Sequence, residues 1–367
     1  MGIHHGIILR ILRDKGPQSR SALARSAGLS PTTLTHIAAQ LLRDGTIAEV
    51  DPKGVTTPGR PATLMRIIPG ARHVAGVHIG AGSVQVAICD LAANVLGFER
   101  FDYADGTAPL ALVAPACDAL RRLAHARGIR PEALAGLGVA VLGPVDAARR
   151  VNLLAFTMGW RDVGFADAFE AELGVPTVLE HNISAMALAE RFYGLGRHPV
   201  LTDGREGVKP ALLYVSLGRG LGAGLVVDDR VFRPGGHGAV EIGHVSIDPQ
   251  GRLCRCGNRG CLETLFADLP PEGLAAEAAR DRITPGFVTA LAGTVNILSP
   301  DLIVLGGRLA DAPDAFLDRL RAEIPPRVLP HIREGLRFGR GSFGIQAGAV
   351  GGAAVALDHF IYAGGPR

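Results

Sequence analysis

Apolar positions set three helices and then a change of period. Ile3, Ile7, Ile8, Ile11 and Leu12 recur at helical spacing, and Gly16-Pro17 ends the run. Ser19 caps a second helix with Leu23, Ala24 and Ala27 on one face and Gly28 behind it. Ser30-Pro31 opens a third, with Leu34, Ile37, Ala38, Leu41 and Leu42 apolar, running to about Asp44. Helix, short Gly-containing turn, helix is the helix-turn-helix layout. Thr46–Val50 and Thr63–Ile67 then read as two short strands around a wing, whose tip carries Lys53 and a rigid Pro-Gly-Arg60-Pro.

Beyond Pro69-Gly70 the pattern becomes strand, Gly turn, strand: Val74–Ile79, Gly80-Ala-Gly82, Ser83–Cys89. It returns at Ala211–Leu217, Gly218-Arg-Gly-Leu-Gly222 and Ala223–Val227. Gly138–Gly143 and Thr177–Glu180 read as further strands, with a helix starting at His181-Asn182. Thr294–Leu298 reads as helix, Asp301–Gly307 as a buried strand and Gln346–Leu357 as a helix of small residues.

At 367 residues the chain has ample core for two or three domains, and 47% apolar with 20% charged residues is ordinary for a globular protein. No apolar run is long enough to span a bilayer and no signal peptide is legible, so a cytoplasmic location is expected. The net charge is +3, unevenly spread. Residues 1–72 hold ten Lys and Arg against four Asp and Glu, so the remainder is mildly acidic. A basic helix-turn-helix on an acidic body points to duplex DNA as the partner of the N-terminal module. Thr32, Thr33, Thr35 and His36 lie on the exposed first turns of the third helix, where small hydroxyls and an imidazole can reach base edges and phosphates. Lys53 and Arg60 supply the wing, with Arg60 shaped for a minor groove.

The densest chemistry is His244, Cys254, Cys256 and Cys261. Three thiols and an imidazole around a Gly-rich turn form a closed structural Zn²⁺ set with no position left for water. Glu241 and Glu263 bracket it. Gly243-His244, nine residues, then Cys-x-Cys-Gly-x-x-Gly-Cys-x-Glu263 resembles the signature of the ROK family, which groups sugar-responsive repressors, uncharacterised reading frames and sugar kinases. The N-terminal module resembles the winged helix of its repressor branch, whose wing also carries Gly-Arg-Pro.

The resemblance implies an α/β chain. Residues 1–70 form a winged helix-turn-helix. Residues 71–367 form an actin-like (ribonuclease H-like) two-lobed fold of sugar-kinase type, with lobes about 71–182 plus the C-terminal helix and about 183–345. It also implies a sugar pocket lined by Glu241, His244 and Glu263, with Asn182 in hydrogen-bonding reach and Thr157 where the family has Asn before Gly-Trp. The family kinases carry Asp-x-Gly-x-Thr in the first Gly turn; here those positions are His78, Gly80 and Gly82. Their second turn, Gly-Thr-Gly, is Gly218-Arg219-Gly220. Their catalytic base is the Asp of an Asn-Asp pair, here His181-Asn182, and an amide cannot take the proton. His78 and Arg219 read as extra cations in the cleft. The expectation is therefore a sugar-responsive regulator without kinase activity, binding operator DNA as a homodimer or homotetramer and released by a sugar or sugar derivative. An active ROK sugar kinase with a DNA-binding appendage is the alternative.

Overall fold

The computed structural model describes residues 2–51, 63–197, 209–233, 235, 239–270 and 273–363. The N-terminal module is α1 (Ile3–Lys15), β1 (Gln18–Ser19), α2 (Arg20–Ala27), α3 (Pro31–Arg43), β2 (Ile47–Val50) and β3 (Leu64–Ile67). Ser19 Oγ accepts from the Ala22 amide and Ser30 Oγ from the Thr33 amide, so both expected caps form. The strands pair antiparallel in the order β1-β3-β2. Ile8, Leu9, Leu23, Leu34, Leu41, Ile47 and Met65 are buried between helices and sheet. Lys53 and Arg60 of the wing lie outside the described residues.

The body repeats one topology. β4 (His73–Gly80), β5 (Ser83–Asp90) and β6 (Val95–Asp102) form an antiparallel meander, and β4 also pairs in parallel with β7 (Leu137–Val141). After a small sheet of β8 (Val145–Asp146), β9 (Val151–Ala155) and β10 (Trp160–Val163), β11 (Thr177–His181) joins β7 in parallel. The second sheet runs the same way: β12 (Leu212–Leu217), β13 (Leu221–Val227) and β14 (Arg230–Val231) meander, and β15 (Leu302–Gly307) and β16 (Arg337–Arg340) follow in parallel beside β12. β4 and β12 are central strands buried on both faces, so they read as unbroken apolar runs.

Helices cover both faces of each sheet. α4 (Val113–His125) and α5 (Phe165–Leu173) close the outside of the first. α7 (Glu277–Leu298), α8 (Asp314–Glu323) and the short α9 (Pro330–Arg333) lie on the outer side of the second. Between the sheets run α6 (Asn182–Tyr193) and α10 (Ala347–Ala356), the latter continued by a π-helical turn, Leu357–Tyr362. This inner layer needs missing side chains. A Cβ at Gly76 would stand 2.0 Å from Ala349 O, one at Gly138 1.9 Å from Gly352 O, and one at Gly351 2.9 Å from Met186 N. The small-residue sequence of α10 is the consequence, because larger groups would push helix and sheets apart.

The module does not hang free. Ile8, Leu9 and Leu12 of α1 share one apolar cluster with Val74, Ala87, Leu357, Ile361 and Tyr362 of the body. Among the described residues no helix is long and apolar enough to cross a membrane.

Candidate metal centre and ligand cleft

His244 ends a 3-10 turn, Ile242–His244, that comes after β14 in the second lobe. Cys254 and Cys256 sit in a tight turn closed by Cys254 N donating to Asn258 O at 2.7 Å, and Cys261 precedes the 3-10 turn Leu262–Phe266. Gly260 is needed here twice over. Its φ is +63°, and a Cβ would meet Asp248 O at 1.6 Å.

The four donors converge. Cys254 Sγ lies 3.7 Å from His244 Nδ1, Cys256 Sγ 3.7 Å from Cys261 Sγ, and all four ligand atoms fall within 4.8 Å of one another. Bonds of about 2.3 Å to sulfur and 2.0 Å to nitrogen around a tetrahedral ion give edges of roughly 3.5–3.8 Å, so two of the pairs already match and the widest closes on a metal ion with a shift of about 1 Å. The cysteines are free thiols, Cys254 and Cys261 buried and Cys256 exposed. With Nδ1 turned to the thiols, the opposite edge of the His244 ring remains for the cleft.

That cleft, about 590 Å³, lies between the lobes. The structure brings Thr157, Asn182, Glu241, His244 and Glu263 onto its wall together. Glu263 is held by the second Gly turn, its Oε2 accepting from the Leu221 amide at 2.8 Å. Gly220 makes room for it, since a Cβ there would lie 2.7 Å from that oxygen. One carboxylate oxygen of Glu263 is thus committed to the backbone and the other is free of that bond. Glu241 is exposed at the start of the 3-10 turn.

On the opposite side one of the two cations expected from the sequence, His78, is not charged. His78 is 8% exposed, and burial pushes its pKa down to about 4, so it is neutral. Asn182 Nδ2 lies 3.3 Å from His78 Nε2, and Asn182 Oδ1 accepts from the Ile183 amide at 2.9 Å. With the ring neutral, Nε2 accepts and the proton sits on Nδ1. That edge faces α10, where a Cβ on Gly348 would meet Nδ1 at 2.3 Å. The imidazole fills the space at the first Gly turn instead of offering charge. His181, half-buried and bonded to Ser184 Oγ at 3.2 Å, is likewise pushed down to about 4. Arg219 keeps its charge but spends it across the cleft mouth, where Nη1 and Nη2 donate to Asp105 of the first lobe at 2.9 and 3.3 Å. Nothing in the sequence singles out Asp105, a lone acid in a polar loop; only the approach of the lobes selects it.

In the N-terminal module Thr32, Thr33, Thr35 and His36 are exposed on α3 while Leu34, Ile37, Ala38 and Leu41 are buried. Two of the hydroxyls are partly engaged: Thr33 Oγ1 pairs with Ser30 Oγ at 2.8 Å, and Thr35 Oγ1 donates to Pro31 O at 2.8 Å. Both keep a lone pair for an incoming donor.

Residues 74–270 match the ROK family, and residues 5–48 match a winged helix-turn-helix DNA-binding family. Similar full-length proteins are regulators by name. The DNA-binding transcriptional repressor Mlc of Escherichia coli (strain K12) is 26% identical over 96% of this chain and 92% of its own length. The xylose repressor of Bacillus subtilis (strain 168) is 21% identical over 98% and 96%. The DNA-binding transcriptional dual regulator NagC of Escherichia coli (strain K12) is 25% identical over 91% and 87%. Among solved structures, a ROK family transcriptional regulator, a homologue of Escherichia coli Mlc, superposes with a TM-score of 0.80 at 24% identity over 99% of this chain and 96% of that one. A ROK family glucokinase from Streptomyces griseus, in complex with glucose and AMPPNP, superposes at 0.64 with 22% identity, over 78% of this chain and 99% of that one. The kinase shares the body alone and the regulator shares the module as well. This chain belongs to the ROK family, and it carries a winged helix-turn-helix DNA-binding module ahead of the two-lobed body.

Proposed function

We propose that this protein is a transcriptional regulator that binds operator DNA through α3 and the wing, and releases it when a sugar or sugar derivative occupies the cleft. Thr32, Thr33, Thr35 and His36 contact the major groove, and Lys53 and Arg60 serve the wing. Two modules in a homodimer read half-sites about 34 Å apart, or a multiple of that. Glu241, Glu263, His244, Asn182 and Thr157 hold the sugar hydroxyls. A Zn²⁺ ion on His244, Cys254, Cys256 and Cys261 would stiffen this wall, keeping the two acids in register. Glu263 is oriented by the Leu221 amide and accepts from a hydroxyl with its second oxygen.

One observation carries the reading against kinase activity: the Asn182–His78 pair. A sugar kinase needs a carboxylate to take the hydroxyl proton and a polar turn to hold phosphate and metal. Here an amide stands at the first place and a neutral buried imidazole fills the second. The ligand shifts DNA affinity only as far as it prefers one arrangement of the lobes over another.

The test is a thermal-shift screen of the purified chain against D-glucose, D-xylose, N-acetylglucosamine and their phosphates. Any hit is then added to a gel shift on duplexes selected from a random library. A sugar that raises the melting temperature and weakens the DNA complex supports the proposal. Sugar-dependent consumption of ATP, or selection that yields no bound duplex, rejects it.

A further inference from the structure

Two helices of the body begin at the cleft and end on one side chain of the DNA-binding module. α6 opens with Asn182, Ile183 and Met186 on the cleft wall and closes with Phe192 and Tyr193. α10 opens with Ala347 and Gly348 on the same wall and continues through the π turn to Tyr362. From Asn182 to Phe192 the path is about 15 Å at 1.5 Å per residue.

At its far end lies Arg13 of α1. The guanidinium carbon stands 3.7 Å from the Phe192 ring centroid and 4.6 Å from that of Tyr362. Arg13 is 5% exposed. Nε donates to Asp14 at 2.7 Å, and among the described residues neither Nη makes a well-formed hydrogen bond, although the Tyr193 hydroxyl stands beside the guanidinium. A buried guanidinium held this way is costly unless aromatic faces offset its lost hydration, and cation–π attraction is strongest when desolvated. A leucine would serve mere packing at lower cost. Further bonds seat the same corner: Arg10 Nη2 donates to Tyr362 O at 2.7 Å and Arg197 Nη2 to Arg13 O at 3.4 Å.

Gly351 brings α10 close against α6, since a Cβ there would lie 2.9 Å from Met186 N and 3.3 Å from Ala185 Cβ, so a shift of one helix is felt by the other. Buried Glu190, one turn before Tyr193, accepts from Ser342 Oγ at 2.9 Å and so ties the end of α6 to the segment that leads into α10.

We infer that Arg13 is the coupling residue of this protein: the α6–α10 pair carries the state of the cleft to the winged helix by opening or closing the Phe192–Tyr362 grip on its guanidinium. Only the ligand arm of the test below rests on reading the cleft as a sugar site. A ligand that prefers one placement of the cleft ends of α6 and α10 changes the spacing of the two rings at the other end. The grip holds α1 only when both rings face the guanidinium.

The test is hydrogen–deuterium exchange on the full-length chain. Coupling is reciprocal, so Arg13→Met without any ligand raises exchange about fivefold or more at the cleft ends of α6 and α10 and leaves β12 and β13 unchanged. Unchanged cleft ends overturn the inference. Arg13→Lys keeps the charge without the flat stack and falls between. If Arg13→Met unfolds the module, Phe192→Leu opens the same grip from the body side and is read by the exchange of α1 and of the cleft end of α10. In the ligand arm, saturating D-xylose, D-glucose or N-acetylglucosamine that protects amides around Glu241 and Glu263 also alters exchange in α1 of the wild type, and does not in Arg13→Met. Cleft protection with α1 unmoved overturns the inference and leaves the sugar reading intact. No protection by any sugar counts against the sugar reading, and the ligand-free arm still decides the role of Arg13.

Discussion

Asn182→Asp restores the carboxylate that a sugar kinase would use and asks what else is missing. The new acid stands at the position of an amide 3.3 Å from His78 Nε2 in a site only 6% exposed. Attraction between the charged forms at that distance is about 5 kcal/mol at an effective dielectric constant of 20. Burying the new carboxylate takes back part of it, and the desolvation of His78 is already contained in its lowered pKa. The surplus lifts the His78 pKa from about 4 to above its ordinary 6.5, roughly 3 kcal/mol of altered proton affinity.

In the wild type the depressed pKa makes the unfolded state bind the proton first. Stability is therefore full above pH 6.5 and is lost as pH falls toward 4, by roughly 3 kcal/mol each for His78 and His181. In Asn182→Asp the His78 share disappears, and the loss below pH 6.5 is about halved. Chemical denaturation from pH 4 to 8 reads this slope, and an NMR titration of the ring reads the pKa. Coupled ATP turnover with D-glucose, D-xylose and N-acetylglucosamine reads catalysis and stays at background, because the first Gly turn still lacks acid and hydroxyl. A His78 that titrates near 4 in the variant would refute the pairing. Turnover by the variant would refute the claim that the phosphate side is disabled.

Other outcomes follow from the same geometry. Elemental analysis of the purified wild type is expected to give one zinc per chain, and Cys261→Ser is expected to lose it and to melt at a lower temperature, since a structural site contributes its binding energy to folding. Glu263→Gln keeps an acceptor for the Leu221 amide, so the fold holds, while the melting shift given by the best sugar falls by an amount worth about 1–3 kcal/mol. Thr35→Ala and His36→Ala leave stability within about 0.5 kcal/mol but weaken the selected operator by roughly 1–3 kcal/mol, with relaxed preference at one base pair each. Ser30→Ala, which removes the cap of α3, costs about 1 kcal/mol of stability instead.

Local chemistry made much of this protein legible in the chain. Ser19, Ser30-Pro31 and the helical spacing of Leu34, Ile37 and Leu41 place the module's helices to within a residue, because caps and periodicity act over a single turn. The two Gly turns and their apolar strands announce the duplicated hairpins, and thiols with tight spacing announce the convergence of His244 with the three cysteines. β6 escapes that reading because it is half exposed and its alternation is weak. The charge state of His78 is not legible in the sequence for a related reason. An imidazole is a cation or a neutral acceptor according to its burial, and its neighbours Asn182 and Gly348 come from distant parts of the chain.

Residue types and short spacings are properties of the sequence alone, and they determine which donors, caps and turns the protein possesses. The tertiary structure alone decides which of these meet. It pairs Arg219 with Asp105 across the cleft, turns one oxygen of Glu263 to the backbone, and buries Arg13 between Phe192 and Tyr362. Each of these is a contact between segments far apart in the chain, whose energy depends on distance and on the exclusion of water, and neither is written in the order of residues.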